Sequence, residues 1–478
     1  QFDADSTAEF QFVESHSWIR SFGISYQVGV DGISLVLIAL SVILVPLVIL
    51  AAWNDADDSM GSVKGYFALL LILETFMVGV FAATDVFLFY VFFEAMLIPV
   101  YFLIGRYGGP GRQYAAVKFL LYSLFGGLLM LAALIGLYVV SAQELGTGTF
   151  DFTTLTNLNI DPGTQKLLFL GFFIAFAIKA PLVPFHTWLP DAAAASTPGT
   201  AVLLVGVLDK VGTFGMIKLC LPIFPAASEF YAPVIIVLCV IGIIYGALLA
   251  IGQTDLKRLI AYTSVSHFGF IGLGIFVMTT QGQSGSTFYM LNHGFSTGAL
   301  FLIAGFLMTR RGSRLIADYG GVYRVAPVLA GLFLIAGLSS LSLPGLSSFV
   351  SEFLVLVGSF EKYTVAAVIA TLGIILAALY ILLMYQRTMT GPVKDGCEKM
   401  TDVKGREALA IIPMLVLLVA LGVYPKPVLD VVNPAVDRIM HQTGQTDPPP
   451  AVKPVAEGAG TAQQKAQEVV GSVEGGAR

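Results

Sequence analysis

Apolar residues fill most of the chain in runs of about 20 residues, which short stretches rich in Gly, Pro and charged residues separate. A helix of about 20 residues crosses a hydrocarbon layer of roughly 30 Å. The strands of a membrane β-barrel would instead alternate apolar and polar positions over about 10 residues. The pattern therefore predicts an all-α polytopic membrane protein. We place its twelve helices near 32–53, 64–82, 85–105, 113–140, 166–190, 197–222, 232–252, 257–279, 285–309, 325–360, 363–386 and 407–424.

Lys and Arg are unevenly distributed between alternate connections of these helices. Alternate loops fall into two sets, one for each side of the membrane. The first set carries fourteen basic residues, whereas the second carries only Lys166 and Lys362. The first set comprises Lys64, Arg106, Arg112, Lys257, Arg258, Arg310, Arg311, Arg314, Arg324, Arg387, Lys394, Lys399, Lys404 and Arg406. Because positive residues in short loops stay on the cytoplasmic side, we expect the first set to face the cytoplasm. Both ends of this chain would then lie on the outer side.

The composition agrees with a membrane protein and excludes several other classes. Of the 478 residues 56% are hydrophobic and 12% charged, with a mean hydropathy of +0.83, whereas soluble domains carry about 25% charged residues. Cys220, Cys239 and Cys397 show no CxxC spacing, which gives no reason to expect a disulfide framework, a zinc site or an iron–sulfur site. A net charge of −5 without a long basic run gives no reason to expect nucleic acid binding. We expect lipid and other membrane proteins as partners.

Three regions follow from these patterns. Residues 1–30 form an acidic outer segment, 31–430 a transmembrane domain, and 431–478 an outer flexible tail rich in Pro, Gly and Ala beyond about residue 444. The chain begins with Gln1 rather than Met, so residues ahead of it are expected to be missing or removed, and no signal peptide is visible.

Eight ionisable residues fall inside predicted helices, where an ionised side chain costs a few kcal/mol or more. They are Glu74, Glu94, Lys118, Lys179, Asp209, Lys210, Lys218 and Glu352. Lys118 and Lys218 lie near helix ends, from which their side chains could reach the membrane interface. Glu94, Lys179 and Lys210 lie near mid-depth. We favour proton transfer for these three, the alternative being a static buried ion pair that holds helices together.

A buried Glu and Lys on neighbouring helices can act as a switch. Burial favours the neutral lysine, whereas a carboxylate about 4 Å away favours the charged form by about 4 kcal/mol at an effective dielectric constant of 20. Movement of the carboxylate would therefore make the lysine hold or release its proton.

Two predicted helices contain breaks that could supply such movement. Pro181 and Pro184 follow Lys179 in FAIKAPLVPFHTWLPD, and Pro344 precedes Glu352 in SSLSLPGLSSFVSEF. One interrupted helix in each half, near 64–222 and 232–386, is typical of transporters built from repeats. The alternative is two ordinary proline kinks.

Histidines could carry protons between these points, since an imidazole titrates near neutral pH. His267 and His293 both lie inside predicted helices. The alternative for each is an ordinary hydrogen-bonding role, and nothing else in the sequence suggests that the pair holds a haem. His16 and His186 are expected at the interface, and Asp255 is expected to cap the start of a helix.

Several long segments resemble the antiporter-like membrane subunits of respiratory complex I, over about residues 20–430. The segments are VGVDGISL at 28–35, DVFLFYVFFEAMLIPVYFLIG at 85–105, GFFIAFAIKAPLVPFHTWLPDA at 171–192, QTDLKRLIAYTSVSHFGF at 253–270, LNHGFSTGALF at 291–301, LPGLSSFVSEFLVLVGSF at 343–360 and LGVYPKPVLD at 421–430. The resemblance implies fourteen helices with two inverted five-helix repeats, each containing a broken helix. The twelve helices of this chain would be the third to the fourteenth.

The resemblance also implies roles for single residues. Glu94 and Lys179 would form the charge pair on the fifth and seventh helices of the family, and Lys210 would be the central lysine of the eighth. His267 and His293 would belong to the connecting hydrophilic axis, and Glu352 would lie nearest proton exit. A carboxylate at Glu352, where sister subunits carry lysine, favours one particular subunit of this family.

The function implied is that of a proton-translocating membrane-arm subunit of NADH-quinone oxidoreductase in the bacterial cytoplasmic membrane. Neighbouring antiporter-like subunits would be its partners. This chain would hold no redox cofactor or metal, and NADH, FMN, iron–sulfur clusters and quinone would bind to partner subunits. Two alternatives remain open: a subunit of a multisubunit cation/proton antiporter or membrane-bound hydrogenase, and a structural scaffold that conducts no protons.

Overall fold

The computed structural model describes residues 2–4, 6, 8–56 and 62–449. These residues form two β-strands and nineteen α-helices. The elements are β1 Gln11–Ile19, β2 Ile24–Val30, α1 Gly32–Ala51, α2 Val63–Ala82, α3 Val86–Ala95, α4 Leu97–Tyr107, α5 Arg112–Leu145, α6 Phe152–Thr156, α7 Pro162–Lys179, α8 Trp188–Ala195, α9 Pro198–Leu203, α10 Asp209–Gly215, α11 Leu221–Ile223, α12 Pro225–Ile251, α13 Leu256–Phe276, α14 Thr280–Arg311, α15 Pro327–Ser340, α16 Ser347–Lys362, α17 Thr364–Met389, α18 Gly405–Val423 and α19 Lys426–Gln442. Two π-helical segments, Leu204–Leu208 and Met216–Cys220, join α9, α10 and α11.

Ten helical stretches in the described part of the chain are long and apolar enough to cross a membrane. They are Gly32–Asn54, Val63–Ala82, Val86–Tyr107, Arg112–Leu145, Pro198–Ile223, Pro225–Ile251, Leu256–Phe276, Thr280–Arg311, Thr364–Met389 and Gly405–Val423. The predicted all-α membrane fold is therefore confirmed. The other two predicted helices, 166–190 and 325–360, are each divided into two shorter ones. The count of twelve continuous helices is thus not confirmed, and the inverted repeats remain a prediction.

Both predicted interruptions occur. α7 ends at Lys179, and Pro181 and Pro184 follow it before α8 begins. The indole Nε1 of Trp188 donates a hydrogen bond of 2.8 Å to the Ile178 carbonyl, which ties the two sides of this gap together. In the second interruption α15 ends and α16 begins on either side of residues 341–346, which include Pro344. Each proline lacks the N–H that a continuous helix would need.

A third interruption was not predicted. The stretch expected as one helix over 85–105 is divided at Met96 into α3 and α4. Pro99 lies three residues later and cannot donate to the carbonyl of residue 95. Glu94 therefore lies one residue from the end of α3, next to a local irregularity of its own helix.

Aspartates cap the starts of five helices in the described part of the chain, α1, α3, α6, α7 and α13. Asp31 accepts a hydrogen bond of 2.8 Å from the Ser34 N–H at the start of α1. Asp85 caps α3 in the same way, and Asp255 accepts from the N–H groups of Lys257 and Arg258. The N-cap prediction for Asp255 is confirmed.

The centre of the molecule consists of the stretch Pro198–Ile223 together with α13 and α14, which are almost wholly buried. Helices at the periphery expose large apolar side chains, as lipid-facing helices do. Leu121, Val237 and Ile375 are each more than half exposed. The buried centre carries Lys210, His267 and His293.

Both ends of the described region contain regular secondary structure. Strands β1 and β2 form an antiparallel hairpin. Helix α19 lies against α1 and α14 and buries Val432, Val436 and Ile439. The expectation of a flexible tail from residue 431 is therefore wrong for residues up to Gln442, because these apolar positions recur at helical spacing. Residues 450–478, which hold most of the Pro- and Ala-rich tail, lie outside the described part.

Candidate functional site

Six ionisable residues expected to carry protons lie on six different helices. Five of them are buried, with exposed fractions of 0 to 4%, and Glu94 is half-buried. In chain order they are Glu94 on α3, Lys179 on α7, Lys210 on α10, His267 on α13, His293 on α14 and Glu352 on α16.

Lys210 and His293 are directly hydrogen-bonded. The Lys210 ammonium donates to His293 Nδ1 at 2.6 Å and also to the carbonyl of Val205. Val205 belongs to the first π-helical segment, where the wider turn leaves carbonyls free for other donors. The distortion of this helix therefore supplies a partner for the central lysine.

A second histidine extends the polar contacts beyond His293. The two imidazole rings of His293 and His267 lie with their centroids 5.3 Å apart. His267 Nδ1 is 2.7 Å from the Tyr289 hydroxyl, and His267 Nε2 is 3.3 Å from the hydroxyl of Ser340. Ser340 is the last residue of α15. The polar contacts thus run from Lys210 to the second helix interruption.

Glu352 lies at the far end of this series. It is close enough to Tyr289 and Tyr380 to interact electrostatically with both hydroxyls. Asn292, the neighbour of His293 in α14, donates to the Ser347 carbonyl at 3.0 Å. This bond ties the start of α16, and with it Glu352, to the helix that carries His293.

Glu94 and Lys179 are not locked together. Lys179 Nζ lies 4.7 Å from the ring centroid of Phe93 and 5.7 Å from that of Phe119, distances typical of cation–π contact. Within the described residues, neither Lys179 Nζ nor Glu94 Oε1 has a hydrogen-bond partner. The arrangement therefore does not support a static ion pair between Glu94 and Lys179.

Asp209 is a member of the site to which the sequence analysis assigned no role. It is fully buried, and neither carboxylate oxygen has a hydrogen-bond partner among the described residues. It interacts electrostatically with Lys210, its neighbour in sequence, and with Lys179 on α7. The sequence signal that could have indicated a role for Asp209 is its position next to Lys210 inside an apolar run.

Lys218 is buried in an ion pair and is not the exposed lysine at a helix end that the sequence suggested. Its ammonium is 2.6 Å from Asp31 Oδ2, and both side chains are buried. The rings of Phe10 and Phe152 lie 5.0 and 5.1 Å from the same ammonium. Burial by itself would raise the pKa of Asp31, but Lys218 and the hydrogen bonds from Ser34 lower it below its ordinary value.

Lys118 is held by a carboxylate rather than lying free at a helix end. The carboxylate of Asp191 on α8 lies 2.7 Å from the ammonium of Lys118 on α5 and 2.7 Å from the guanidinium of Arg258 on α13. This triad joins the second half of the first broken helix to two others. His186, in the same break, is buried against Tyr245, with 5.3 Å between the ring centroids, and its position at the membrane interface stays a prediction.

The described residues contain no group of three or more His, Cys, Asp or Glu side chains arranged to hold a metal ion. The three cysteines are buried and free.

Comparison with known proteins places the chain among respiratory proteins. A family model described as the transmembrane region of NADH:quinone oxidoreductase and Mrp antiporters matches residues 83–377, and one for the amino terminus of NADH-ubiquinone oxidoreductase chain 4 matches residues 6–80. NADH-quinone oxidoreductase subunit M of Mycobacterium tuberculosis is 57% identical over 480 residues, which covers 94% of this chain and 87% of the relative.

Two solved structures share the fold. A chain of respiratory complex I from Thermus thermophilus with bound NADH superposes with a TM-score of 0.84 and 33% identity, covering 91% of this chain and 90% of that one. A chain of the Mrp complex from Dietzia has a TM-score of 0.78 at 22% identity, covering 90% and 89%, and shows the common fold alone. From its sequence and its fold together, this chain belongs to the NADH-quinone oxidoreductase subunit M family.

Proposed function

We propose that this chain moves a proton across the membrane by passing it along a buried series of ionisable side chains. The order along the series is Glu94, Lys179, Lys210, His293, His267 and Glu352, with Asp209 between the two lysines. The observation that carries the proposal is the 2.6 Å hydrogen bond between Lys210 and His293. It joins the half of the chain that contains Glu94 and Lys179 to the half that contains Glu352.

The first part of the route depends on movement of Glu94 relative to Lys179. An ionised carboxylate about 4 Å from the ammonium would stabilise it by about 4 kcal/mol at an effective dielectric constant of 20. When Glu94 withdraws, burial favours neutral Lys179, and the proton passes towards Asp209 and Lys210. A membrane potential of 100 mV opposes each charge by about 2.3 kcal/mol. The electrostatic change is therefore large enough to drive the transfer.

The second part of the route is made of hydrogen-bonding groups. Lys210 gives a proton to His293 Nδ1, and the imidazole releases one from its other nitrogen, as neutral and charged imidazoles readily do. His267, with the hydroxyl of Tyr289 at 2.7 Å, carries the proton towards Glu352. Glu352 then gives it to the far side of the membrane.

The driving reaction would lie outside this chain. We propose that it sits in the membrane arm beside other antiporter-like subunits, with both chain ends on the outer side. Partner subunits would bind NADH, FMN, iron–sulfur clusters and quinone. Quinone reduction there would change the charge near Glu94. The two broken helices, each next to a residue of the route, would belong to two inverted repeats and absorb the resulting motion.

Neutral variants in the assembled complex test the proposal. Lys179→Ala, Lys210→Ala and Glu352→Gln are each expected to abolish most NADH-driven proton uptake into vesicles. Lys166→Ala is a matched control, because Lys166 lies on the same helix as Lys179 but contacts Phe230 instead. If the variants lower only the amount of complex and pump normally per quinone reduced, the chain is a scaffold.

The rival assignment to a cation/proton antiporter or hydrogenase makes a different prediction. Purification in mild detergent is expected to recover this chain with peripheral subunits that oxidise NADH. Recovery with antiporter subunits alone would contradict the proposal.

A further inference from the structure

The carboxylate of Glu94 lies in a notch of helix α5 that exists because residue 127 is glycine. A Cβ atom added to Gly127 would overlap Glu94 Oε1 and would lie 2.5 Å from the carboxylate carbon and 2.8 Å from Oε2. All three nearest atoms therefore belong to one functional group. We propose that Gly127 is a positioning residue, which sets where the Glu94 carboxylate lies between α3 and α5. The proposal rests on the proton-transfer role of Glu94.

Gly127 has no conformational reason to be glycine. It lies in the interior of α5, where alanine is favoured over glycine by about 0.5–1 kcal/mol. Its backbone does not adopt the positive φ for which glycine is needed. The reason for glycine here is the space that the Glu94 carboxylate fills.

The neighbouring glycine, Gly126, leaves space for helix α7 and not for a side-chain carboxylate. A Cβ atom added to Gly126 would lie 3.0 Å from the Cα of Ala175 and 3.0 Å from Cδ1 of Ile178, both on α7. Ile178 immediately precedes Lys179, the last residue of α7. Two successive glycines of α5 thus allow close approach of two different groups. Gly126 leaves space for α7, which carries Lys179, and Gly127 leaves space for the carboxylate of Glu94.

The described residues hold the Glu94 carboxylate in place by steric fit. Glu94 Oε1 has no hydrogen-bond donor among them, and the residue lies one position from the end of α3. The preceding residue, Phe93, touches the Lys179 ammonium with its ring. A displacement of the carboxylate would therefore change its distance from Lys179, on which the proposed switch depends.

An alanine at 127 is expected to disturb the carboxylate more than the fold. The overlapping atoms are the far end of a flexible side chain, which can rotate away. At Gly126 the opposing atoms include the backbone of α7, which cannot rotate away. Gly127→Ala is therefore expected to assemble normally.

The experiment measures NADH-driven proton uptake per quinone reduced in the whole complex. Gly127→Ala is expected to lower this ratio roughly tenfold, because displacement of a reacting group by about 1 Å can slow its transfer by up to about 100-fold. It is also expected to change the pH profile of pumping. Gly136→Ala, on the same helix, is the matched control, since its Cβ would lie 2.6 Å from the end of the Leu168 side chain and away from Glu94. Normal pumping by Gly127→Ala would overturn the proposal.

A shorter acid separates positioning from general helix packing. Glu94→Asp withdraws the carboxylate by one methylene group, so in that background Gly127→Ala is expected to cost less than twofold. An equal loss in both backgrounds would overturn the proposal. If Gly127→Ala fails to assemble, recovery of assembly by the double variant supports the overlap, and no recovery contradicts it.

Glu94→Gln distinguishes this inference from the proposed function, because the amide keeps the shape of the acid. Normal pumping by Glu94→Gln overturns the role of Glu94 and the inference with it. Loss of pumping in Glu94→Gln together with normal pumping in Gly127→Ala leaves the proposed role of Glu94 intact and overturns only the positioning role.

Discussion

Lys210 and His293 are 83 residues apart in sequence, yet their side chains share a hydrogen bond of 2.6 Å in the buried centre of the molecule. His293→Gln keeps an acceptor for Lys210 but cannot carry a proton onward. We expect this variant to assemble and to lose proton pumping by roughly 100-fold, the scale on which a positioned proton-transfer group acts. Pumping in reconstituted vesicles measures the loss. The exposed His16 provides the control, since His16→Gln is expected to pump normally.

The buried pair of Asp31 and Lys218 is expected to matter for stability. Removing one partner of a buried ion pair leaves an uncompensated charge and costs about 3–5 kcal/mol. Asp31→Asn should therefore lower the unfolding temperature of the complex, and the double variant Asp31→Asn with Lys218→Met should regain most of the loss. Asp430→Asn tests the specificity, because Lys426 and Asp430 form an exposed pair and little change is expected. Equal effects of the buried and the exposed change would contradict this account.

The same Asp31 carboxylate predicts a pH dependence. Its pKa in the folded protein lies below the ordinary value of 3.8, so the folded state holds the proton less tightly than the unfolded state. The stabilisation is then fully present above about pH 4 and is lost as the pH falls through the lowered value. Unfolding temperatures measured between pH 3 and 6 should show this decline in the wild type and less of it in Asp31→Asn.

Asp55 predicts a dependence of the opposite sign. Burial of its carboxyl group raises the pKa to about 6, against the opposing effects of the Gly199 N–H, Lys257 and Arg406. The folded protein therefore binds this proton more tightly than the unfolded chain, and stability decreases as the pH rises from about 4 to about 6. Asp55→Asn should remove that decrease and be at least as stable as the wild type at pH 7. A variant that is less stable at pH 7 but unchanged at pH 4 would contradict the prediction.

Asp402 supplies the control for Asp55. Burial alone would raise its pKa, but hydrogen bonds from the N–H groups of Val328 and Leu329 lower it. Asp402→Asn should therefore lose stability at neutral pH and approach the wild type only below about pH 4.

Asp191 should contribute more to stability than either of its two partners. It is paired with Lys118 and Arg258 in a partly exposed setting. A single exposed pair is worth about 0.2–1 kcal/mol, so Lys118→Ala should cost less than about 1 kcal/mol. Asp191→Asn leaves both cations without their carboxylate and should lower the unfolding temperature further. An equal effect of Lys118→Ala and Asp191→Asn would show that Arg258 adds nothing.

Local features of the structure were predictable because their causes are local. A run of apolar residues specifies a membrane helix whatever surrounds it, and Pro181 and Pro344 interrupt a helix because each removes a backbone donor. The cap at Asp255 was predictable for the same reason, since its side chain bonds to N–H groups two and three residues away. Helix α19 carried a comparable signal in the spacing of Val432, Val436 and Ile439.

Pairings between distant residues were not predictable from spacing. Lys218 looked like a lysine at a helix end, but its partner Asp31 lies 187 positions earlier. Asp209 looked like one more intramembrane charge until the fold placed Lys179 close enough to interact with it. The interruption at Met96 had a local signal that the sequence analysis did not use, because Pro99 lies inside the helix predicted over 85–105 and cannot donate to the carbonyl of residue 95.

The amino-acid sequence by itself determined that this protein crosses a membrane, where two of its helices break and which ionisable groups lie within them, because hydrophobicity and backbone hydrogen bonding act over a few residues. Tertiary structure alone decided which of those groups meet. Lys210 is hydrogen-bonded to His293, and the Lys179 ammonium lies over the ring of Phe93. The Glu94 carboxylate fills the space beside Gly127. Proton transfer depends on the distances between these groups, and in this chain helix packing sets those distances.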